Sequence, residues 1–532
     1  MRIPGTVCGI VFWREQLNGR RILWIDDEID LLESHILFLK EKGYVVRGVS
    51  SGNEAIEVLG RERFDVILVD ETMPGKSGLE TLQDIKEIDS TLPLIMITKN
   101  EAEDLMEQAI GMKIDDYLLK PVNPLQIISA IKRLLESHKI QEGTINRDYL
   151  RAFRRIDGAL MKGPGWDEWV GIHQELSFWD LEFDRFNETG LNQTQTDLKR
   201  KCNSDFGSYI EANYRDWIHS EKRPVLSIDI FNKHVFPHLY AKKKVYFIVI
   251  DCMRYDQWLK IEDLIAPYFN VEKNHYCAIL PTATPYARNA LFSGLFPAEI
   301  FERYPKRWLE RSKEEMGKNR FEREFMLEQL RRAGLDSITS KYVKIYESDE
   351  ANEIKNQVDS YRSIGMVAMV FNFLDILSHG RSQSEILQEI APDESAFRSL
   401  MRTWFSHSAL FEILQKISRH DSVVVITTDH GAILSKRASL IHGNRDTSTN
   451  IRYKFGENLN SDKKQTFFIR HPKQFNLPAE NPSKNYVLAK EDYYFVYPTK
   501  YHKYEKQYQG TFQHGGISLE EMVVPCITLT PK

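Results

Sequence analysis

Cysteine is scarce in this chain. Its 532 residues hold five, Cys8, Cys202, Cys252, Cys277 and Cys526, with no CxxC pair and no regular spacing. That argues against a disulfide framework and for a reducing compartment, so the expected location is the cytoplasm. Long apolar runs are missing as well. None approaches the roughly 18 residues that a membrane span needs, so no transmembrane segment is expected. Basic charge is not in excess either: the net charge is −5. Neither a helix-turn-helix nor a helical face of Lys and Arg stands out, so duplex DNA is not an expected partner. Hydrophobic residues make up 42% and charged residues 28%, the balance of an ordinary soluble protein with room for roughly two to four domains. Residues 1–19 carry a charge, a short apolar run and a Cys, features that a signal peptide also has. A cytoplasmic-type module begins directly after them, so they are read as an N-terminal extension outside the fold.

What is present begins with "RRILWIDDEIDLL", a buried strand from Arg21 to Ile25 that runs into two acidic residues. "FDVILVDETMPGKSG" repeats the plan: apolar strand, Asp70, then a turn rich in Pro and Gly. "LPLIMITKN" ends a strand at Thr98, and "DDYLLKPV" ends one at Lys120-Pro121. Amphipathic stretches lie between and after them, at Leu31–Lys42, Gly52–Arg61, Glu80–Ile88, Glu101–Ile110 and Pro124–His138. Strands alternating with helices predict a parallel sheet covered on both faces. Asp26, Asp27 and Asp70 would meet at the carboxyl edge of that sheet, where open α/β folds build sites. Three clustered carboxylates need a cation, and oxygen ligands with spare positions suit Mg²⁺. Lys120 and the Thr98 hydroxyl would hold a phosphoryl group placed on Asp70.

Residues 20 to about 138 resemble the receiver domain of two-component response regulators, a flavodoxin-like fold. The resemblance implies Asp70 as phosphoacceptor and a cognate sensor histidine kinase as partner. It implies magnesium held by Asp27, Asp70 and the carbonyl of Thr72, with Asp26 in support. Thr98 and Tyr117 would form the switch pair, and Lys120 would bind the phosphate.

From Gly143 to about Lys242 the chain is polar, aromatic and helical in pattern. Trp166, Trp169, Trp179 and Trp217 fall at helical spacing and read as the core of a small bundle. The domain expectation is therefore a receiver over 20–140, a helical bundle or linker over 141–242, and a further domain over 243–532.

That last part repeats the habit of placing polar residues at strand ends. "KKKVYFIVIDCMRYDQW" ends a strand at Asp251, and "GMVAMVFNFLDILSH" carries Asp375 and His379. "DSVVVITTDHG" ends in Asp429-His430, and "GTFQHGGISLEEMVVP" sets His514 in a Gly-rich turn. Three Asp and three His exceed what one Zn²⁺ takes and fit two. Two ions about 4 Å apart clamp the attacking and leaving oxygens of a phosphoryl displacement. A nucleophilic hydroxyl is available in "ILPTATPYARNALFSG". Thr284 precedes Pro285 and is expected to N-cap a helix, where free N–H groups suit a phosphate. Thr282 is the alternative nucleophile. No Cys/Ser-x-Pro-x-Arg motif stands there, which argues against a sulfatase.

Residues from about 244 to 532 resemble the PglZ domains of the alkaline phosphatase superfamily, an α/β sandwich with a cap insert. The resemblance implies one zinc on Asp251, Thr284, Asp429 and His430, and another on Asp375, His379 and His514. It implies Thr284 as the nucleophile of a phospho-threonine intermediate. Related phosphodiesterases often place Asn three residues after the nucleophile. Here that position is Ala287, so Arg288 and Asn289 become candidates for holding phosphoryl oxygens. Charged stretches around 293–365 and 442–460 read as a solvated surface or as a basic lid, with Arg445, Arg452 and Lys454 as its substrate-facing residues.

The order receiver, bundle, PglZ domain is similar to PorX-type response regulators, tied to type IX secretion in Bacteroidota. The resemblance implies dimerisation on phosphorylation and zinc-dependent hydrolysis of phosphodiesters in short linear or cyclic oligonucleotides. It also implies contacts with a sigma factor or a secretion-motor protein. A different expectation keeps the zinc as a scaffold and makes the chain a phosphorylation-switched protein-binding regulator.

Overall fold

The computed structural model describes residues 19–89, 92–99, 114–186, 189–308, 319–381, 389–444, 450–479, 481–499 and 501–532. The expected helix over 101–110 and the first 18 residues lie outside them. The chain divides into two compact units, Met1–Asp148 and Tyr149–Lys532.

The first unit is a five-stranded sheet in the order β2-β1-β3-β4-β5, built from β1 (Arg21–Ile25), β2 (Val45–Val49), β3 (Val66–Asp70), β4 (Leu94–Thr98) and β5 (Asp116–Leu119). All neighbours are parallel. Four of these strands match the apolar runs in the sequence. The fifth, β2, was not evident there, because "VVRGV" is an edge strand with only two buried residues. Two apolar clusters cover opposite faces. One joins Leu23, Ile67 and Leu82, the other Trp24, Leu68 and Ile127. Ser51 and Ser77 cap the helices Gly52–Leu59 and Gly78–Ile88, the second through a full capping box with Glu80. Gly78 is required by a close approach: a Cβ there would lie 2.2 Å from the carbonyl oxygen of Asp70.

The helix expected over 124–138 continues without a break as Pro124–Lys162. It is followed by Trp166–Phe186 and Thr189–Trp217. Trp169, Trp179 and Trp217 are buried, as their spacing predicts, and Trp166 is half-buried against the apolar cluster that holds Trp169 and Trp217. Trp169 packs edge-on against Phe206 at 5.3 Å.

The second unit centres on a six-stranded sheet. Its members are β6 (Lys244–Ile250), β7 (Phe269–Cys277), β8 (Ser340–Ile345), β9 (Met366–Phe371), β10 (Ser422–Thr427) and the C-terminal strand Val523–Pro531. The order is β7, C-terminal strand, β10, β6, β9, β8. Strands β10, β6, β9 and β8 run parallel, and the C-terminal strand is antiparallel to both β10 and β7. Between β10 and the C-terminal strand the chain folds into smaller sheets, among them Ile433–Ser435 paired with Thr511–Gln513. Among the described residues no helix is long and apolar enough to cross a membrane.

The expected boundary near residue 242 is not a break in packing. Trp169, Phe206 and Tyr214 of the bundle share one apolar cluster with Phe247, Ile279 and Phe292 of the sheet domain. Buried ion pairs reinforce the junction. Arg398 holds Asp184 through two bonds of 2.8 Å, and Lys199 reaches Asp180 at 2.8 Å and Glu394 at 3.2 Å. The long helices have one apolar face each and the sheet has an uncovered face, so one burial satisfies both. Trp169→Ala is therefore expected to remove about 3–5 kcal/mol from the whole second unit. Urea unfolding followed by far-UV dichroism checks this: bundle and sheet should lose structure in one earlier transition.

Candidate metal centre and phosphoacceptor site

In the first unit the strand ends deliver the expected carboxylates. Asp26 and Asp27 follow β1 and Asp70 ends β3, and the three each place an oxygen within 4.8 Å of the others. Asp26 and Asp70 are buried and Asp27 is exposed. Lys120, just beyond β5, lies 2.9 Å from Asp70 Oδ1 and 3.1 Å from Asp26 Oδ2. Burial raises the Asp70 carboxyl above its usual value. Lys120 opposes that shift, and Asp26 and Asp27 add to it. Burial alone would lower Lys120, but its two carboxylate partners outweigh it and hold the ammonium above its ordinary value. Thr72 is exposed in the loop two residues past Asp70. The Thr98 hydroxyl donates to Glu71, and Tyr117 is exposed.

The second unit gathers its polar residues at the carboxyl ends of β6, β9 and β10. Asp251 follows β6 directly, and Asp429-His430 follow β10 after Thr428. The Thr428 hydroxyl donates to the His430 carbonyl at 2.6 Å and accepts from Met253 N–H at 3.0 Å. It thereby ties the two strand-end turns together. One oxygen or nitrogen from each of Asp251, Asp429 and His430 lies within 4.8 Å of the others.

Thr284 departs from expectation by one residue. The N-cap of the helix Thr284–Ser293 is Ala283, with an extended backbone, and Thr284 is the first helical residue. Its hydroxyl lies 3.0 Å from His430 Nε2. Thr282 is engaged elsewhere: it donates to the Gly516 carbonyl at 2.7 Å and accepts from Gly515 N–H at 3.1 Å.

Asp375 lies in the first turn of the helix Phe373–Arg381, which follows β9. His379 is one turn further along that helix, and its side chain lies outside the described residues. His514 approaches from the strand Thr511–Gln513, with Nε2 3.5 Å from Asp375 Oδ1. Its ring stacks on His430 at 4.2 Å, which joins the two ligand groups into one centre.

The donor set fits divalent cations on three observations. His430 Nδ1 donates to the Gly431 carbonyl at 3.0 Å and His514 Nδ1 to the Thr282 carbonyl at 3.3 Å, the tautomers in which each Nε2 is an acceptor. Asp251 Oδ1 is buried with no hydrogen-bond partner among the described residues. Two buried carboxylates of the site, Asp251 and Asp429, share a single guanidinium, that of Arg288. Burial lowers the His430 imidazole to about 4, so it is neutral at neutral pH, the form that ligates. Burial, with repulsion from Asp429 and Asp375, lifts Asp251 well above the usual carboxylate range. Burial also raises Asp429, but Arg288 and His430 outweigh it and hold that carboxyl low.

The expected substrate contacts are placed otherwise. Arg288 is fully buried, pairing with Asp251, bonding Asp429 at 3.0 Å and Asn372 at 3.0 Å. Asn289 is buried and donates to the Pro285 carbonyl of its own helix at 2.8 Å. Arg445 lies outside the described residues. Arg452 and Lys454, expected in an exposed lid, are both buried. Arg452 pairs with Glu521, and the Lys454 ammonium sits 5.1 Å from the centre of the Tyr497 ring. Sequence pattern missed Asn372, Thr428 and Glu521. Asn372 and Thr428 do follow apolar strands, the same signal that marks Asp251, whereas Glu521 stands in an ordinary acidic pair.

Comparison with known proteins follows the same partition. Residues 22–132 match the response regulator receiver domain, residues 139–218 the PorX response regulator linker domain, and residues 230–529 the BREX system PglZ alkaline phosphatase-like domain. The transcriptional regulatory protein ResD of Bacillus subtilis is 33% identical over 121 residues, 23% of this chain and 50% of that protein. The regulatory protein VanR of Enterococcus faecium is 34% identical over 121 residues, 22% of this chain and 51% of that protein. The chain thus spans about half the length of the curated relatives it matches. A solved receiver domain from Methanospirillum hungatei is 27% identical, covering 23% of this chain and 98% of its own, with a TM-score of 0.22. With a receiver before it and a PorX linker between, the PglZ match covers more than half of the chain, which belongs to the PglZ alkaline phosphatase-like family in the arrangement of a PorX-like response regulator.

Proposed function

We propose that the chain is a response regulator whose output is a di-zinc phosphodiesterase, acting on phosphodiesters such as short linear or cyclic oligonucleotides. The observation that carries this is the Thr284 hydroxyl, at a helix start and 3.0 Å from His430 Nε2, beside buried Asp251 and Asp429. Asp251, Thr284, Asp429 and His430 would hold one ion, and Asp375, His379 and His514 the other. Bound zinc would supply Lewis-acid stabilisation of charge on the phosphoryl oxygens and lower the pKa of a coordinated hydroxyl.

The chain's own part is placement. Thr284 Oγ attacks phosphorus, an Oγ–P bond forms, and the P–O bond to the leaving alcohol breaks. Water then attacks the phospho-threonine, releasing the phosphomonoester and restoring the hydroxyl. The N–H groups at the start of the helix Thr284–Ser293 face the group that Thr284 attacks. Arg288 keeps Asp251 and Asp429 from repelling one another without meeting substrate itself. In the first unit Asp70 accepts the phosphoryl group from a sensor kinase, and Lys120 bridges it to Asp26. Control of type IX secretion and phosphorylation-linked dimerisation belong to the same proposal, on the likeness to PorX-type regulators.

Thr284→Ala is expected to lower turnover of bis-p-nitrophenyl phosphate by about a thousandfold or more, since metal activation and the covalent step both disappear. Thr284→Ser should keep most of the activity. Steady-state rates with zinc content measured on the same samples check this; an active alanine variant would sink the covalent mechanism. Asp70→Asn is expected to abolish label uptake from radiolabelled acetyl phosphate while hydrolysis by the metal centre persists. Uptake at an unchanged level in that variant would place the phosphoacceptor elsewhere.

A further inference from the structure

One fully buried ion pair lies beside the metal centre without contributing a ligand to it. Glu521 stands in the short helix Leu519–Met522, and it and Arg452 are completely buried. Arg452 Nη2 pairs with Glu521 Oε2, and its Nε donates to Oε1 at 3.2 Å. A planar guanidinium meeting a carboxylate through two nitrogens fixes both groups in orientation as well as distance.

Two turns hang on this pair and a third on the Glu521 backbone, and each carries a residue of the centre. The Glu521 carboxylate accepts the Gly516 N–H at 2.8 Å, two residues past His514. The Gly516 carbonyl and the Gly515 N–H both bond the Thr282 hydroxyl, at 2.7 and 3.1 Å, two residues before Thr284. The Thr282 carbonyl in turn takes the His514 Nδ1 proton. The Glu521 carbonyl accepts the Gly431 N–H at 3.2 Å, one residue past His430.

Contact is too close for side chains at these turns. A Cβ on Gly431 would lie 1.9 Å from the Glu520 carbonyl oxygen, and one on Gly516 would lie 2.5 Å from Arg452 Nη2. Two glycines therefore let the chain press ligand-bearing turns onto the Glu520–Glu521 segment and its arginine. The segment is itself anchored from the bundle. Asn203 accepts the Leu519 N–H at 2.7 Å and donates to Glu520 Oε2 at 3.0 Å.

We infer that Glu521, balanced by Arg452, is a positioning residue of the metal centre. It sets the Thr282, Gly431 and Gly516 turns so that Thr284, His430 and His514 converge. The role rests on the metal-holding function proposed above and extends it to a pair that touches neither metal nor substrate. It is distinct from ordinary core packing because the turns it joins are far apart in sequence and share only the centre.

Zinc affinity of the full chain, measured by competition with a chromophoric chelator, tests it alongside thermal unfolding of the metal-free chain. Glu521→Gln keeps the shape and an acceptor for Gly516 but removes the charge that orients Arg452. It is expected to weaken zinc binding by about 10–100-fold, the usual cost of losing a group that orients a ligand. Arg452→Lys, which keeps the charge and loses the two-nitrogen geometry, should give a smaller loss in the same direction. Asp184→Asn breaks the buried Arg398 pair between the bundle and the helix Glu394–His407. It serves as the control: it should lower the unfolding temperature and leave zinc affinity unchanged. If Glu521→Gln does not fold, Thr282→Val decides, because it removes the hydroxyl bridge to Gly515 and Gly516 and leaves the ion pair intact; a tenfold loss of zinc affinity is then expected. Wild-type affinity in folded Glu521→Gln, or in Thr282→Val where that variant decides, overturns the positioning role. A wild-type chain that takes up no zinc overturns the metal-centre proposal itself, and this role with it.

Discussion

Everything around the second site follows from burying Asp251 next to Asp429. Two carboxylates out of water at the ends of adjacent parallel strands repel each other, and each loses its hydration. The fold answers on both sides. Behind them the Arg288 guanidinium spans the pair and is held by Asn372. In front, Asp251 Oδ1 has no hydrogen-bond partner among the described residues and lies 3.9 Å from His430 Nε2, which itself bonds the Thr284 hydroxyl. A single guanidinium does not neutralise the two carboxylates it spans, so the front of the site is where divalent charge fits. The histidines are arranged to the same end, each with Nδ1 spent on a backbone carbonyl and Nε2 turned inward.

That placement of Arg288 also alters the picture of substrate recognition. Arg288 is fully buried and oriented by two acids and an amide, so its charge is spent on holding Asp251 and Asp429. Arg452 is committed in the same way to Glu521. In the proposed reaction a bound phosphoryl would face the Thr284 hydroxyl, the N–H groups at the start of its helix and the candidate metal ligands. Basic side chains that look available in the sequence are already used to keep acids buried. The bundle is part of the same structure, since it shares its apolar core with the sheet domain and reaches the Leu519–Glu520 turn through Asn203.

Much of this was legible in the sequence, for a physical reason. Parallel strands buried on both faces must be continuous apolar runs, so β1, β3, β4, β6, β9 and β10 announce themselves, and a polar residue that ends such a run sits at the sheet's carboxyl edge. That located Asp26, Asp70, Asp251 and Asp429 without any structure. Edge strand β2 escaped because half of it faces solvent. The bundle's Trp spacing pointed to a packed helical region, but not to its packing on the sheet domain, because a helix pattern shows which face is apolar and not what covers it. Thr284 was assigned as a cap when Ala283 holds that position, a one-residue difference that frees the hydroxyl for His430.

The sequence by itself determined the strand-end chemistry: three acids around a lysine in one unit, and acids, histidines and a threonine before proline in the other. These signals are local, since each depends on one residue's position relative to one apolar run. Only the tertiary structure decided which charges face the site and which are spent in holding it. Whether Arg288 or Arg452 meets substrate depends on partners 37 to 141 residues away in the chain, and a sequence read one segment at a time carries no record of those pairings.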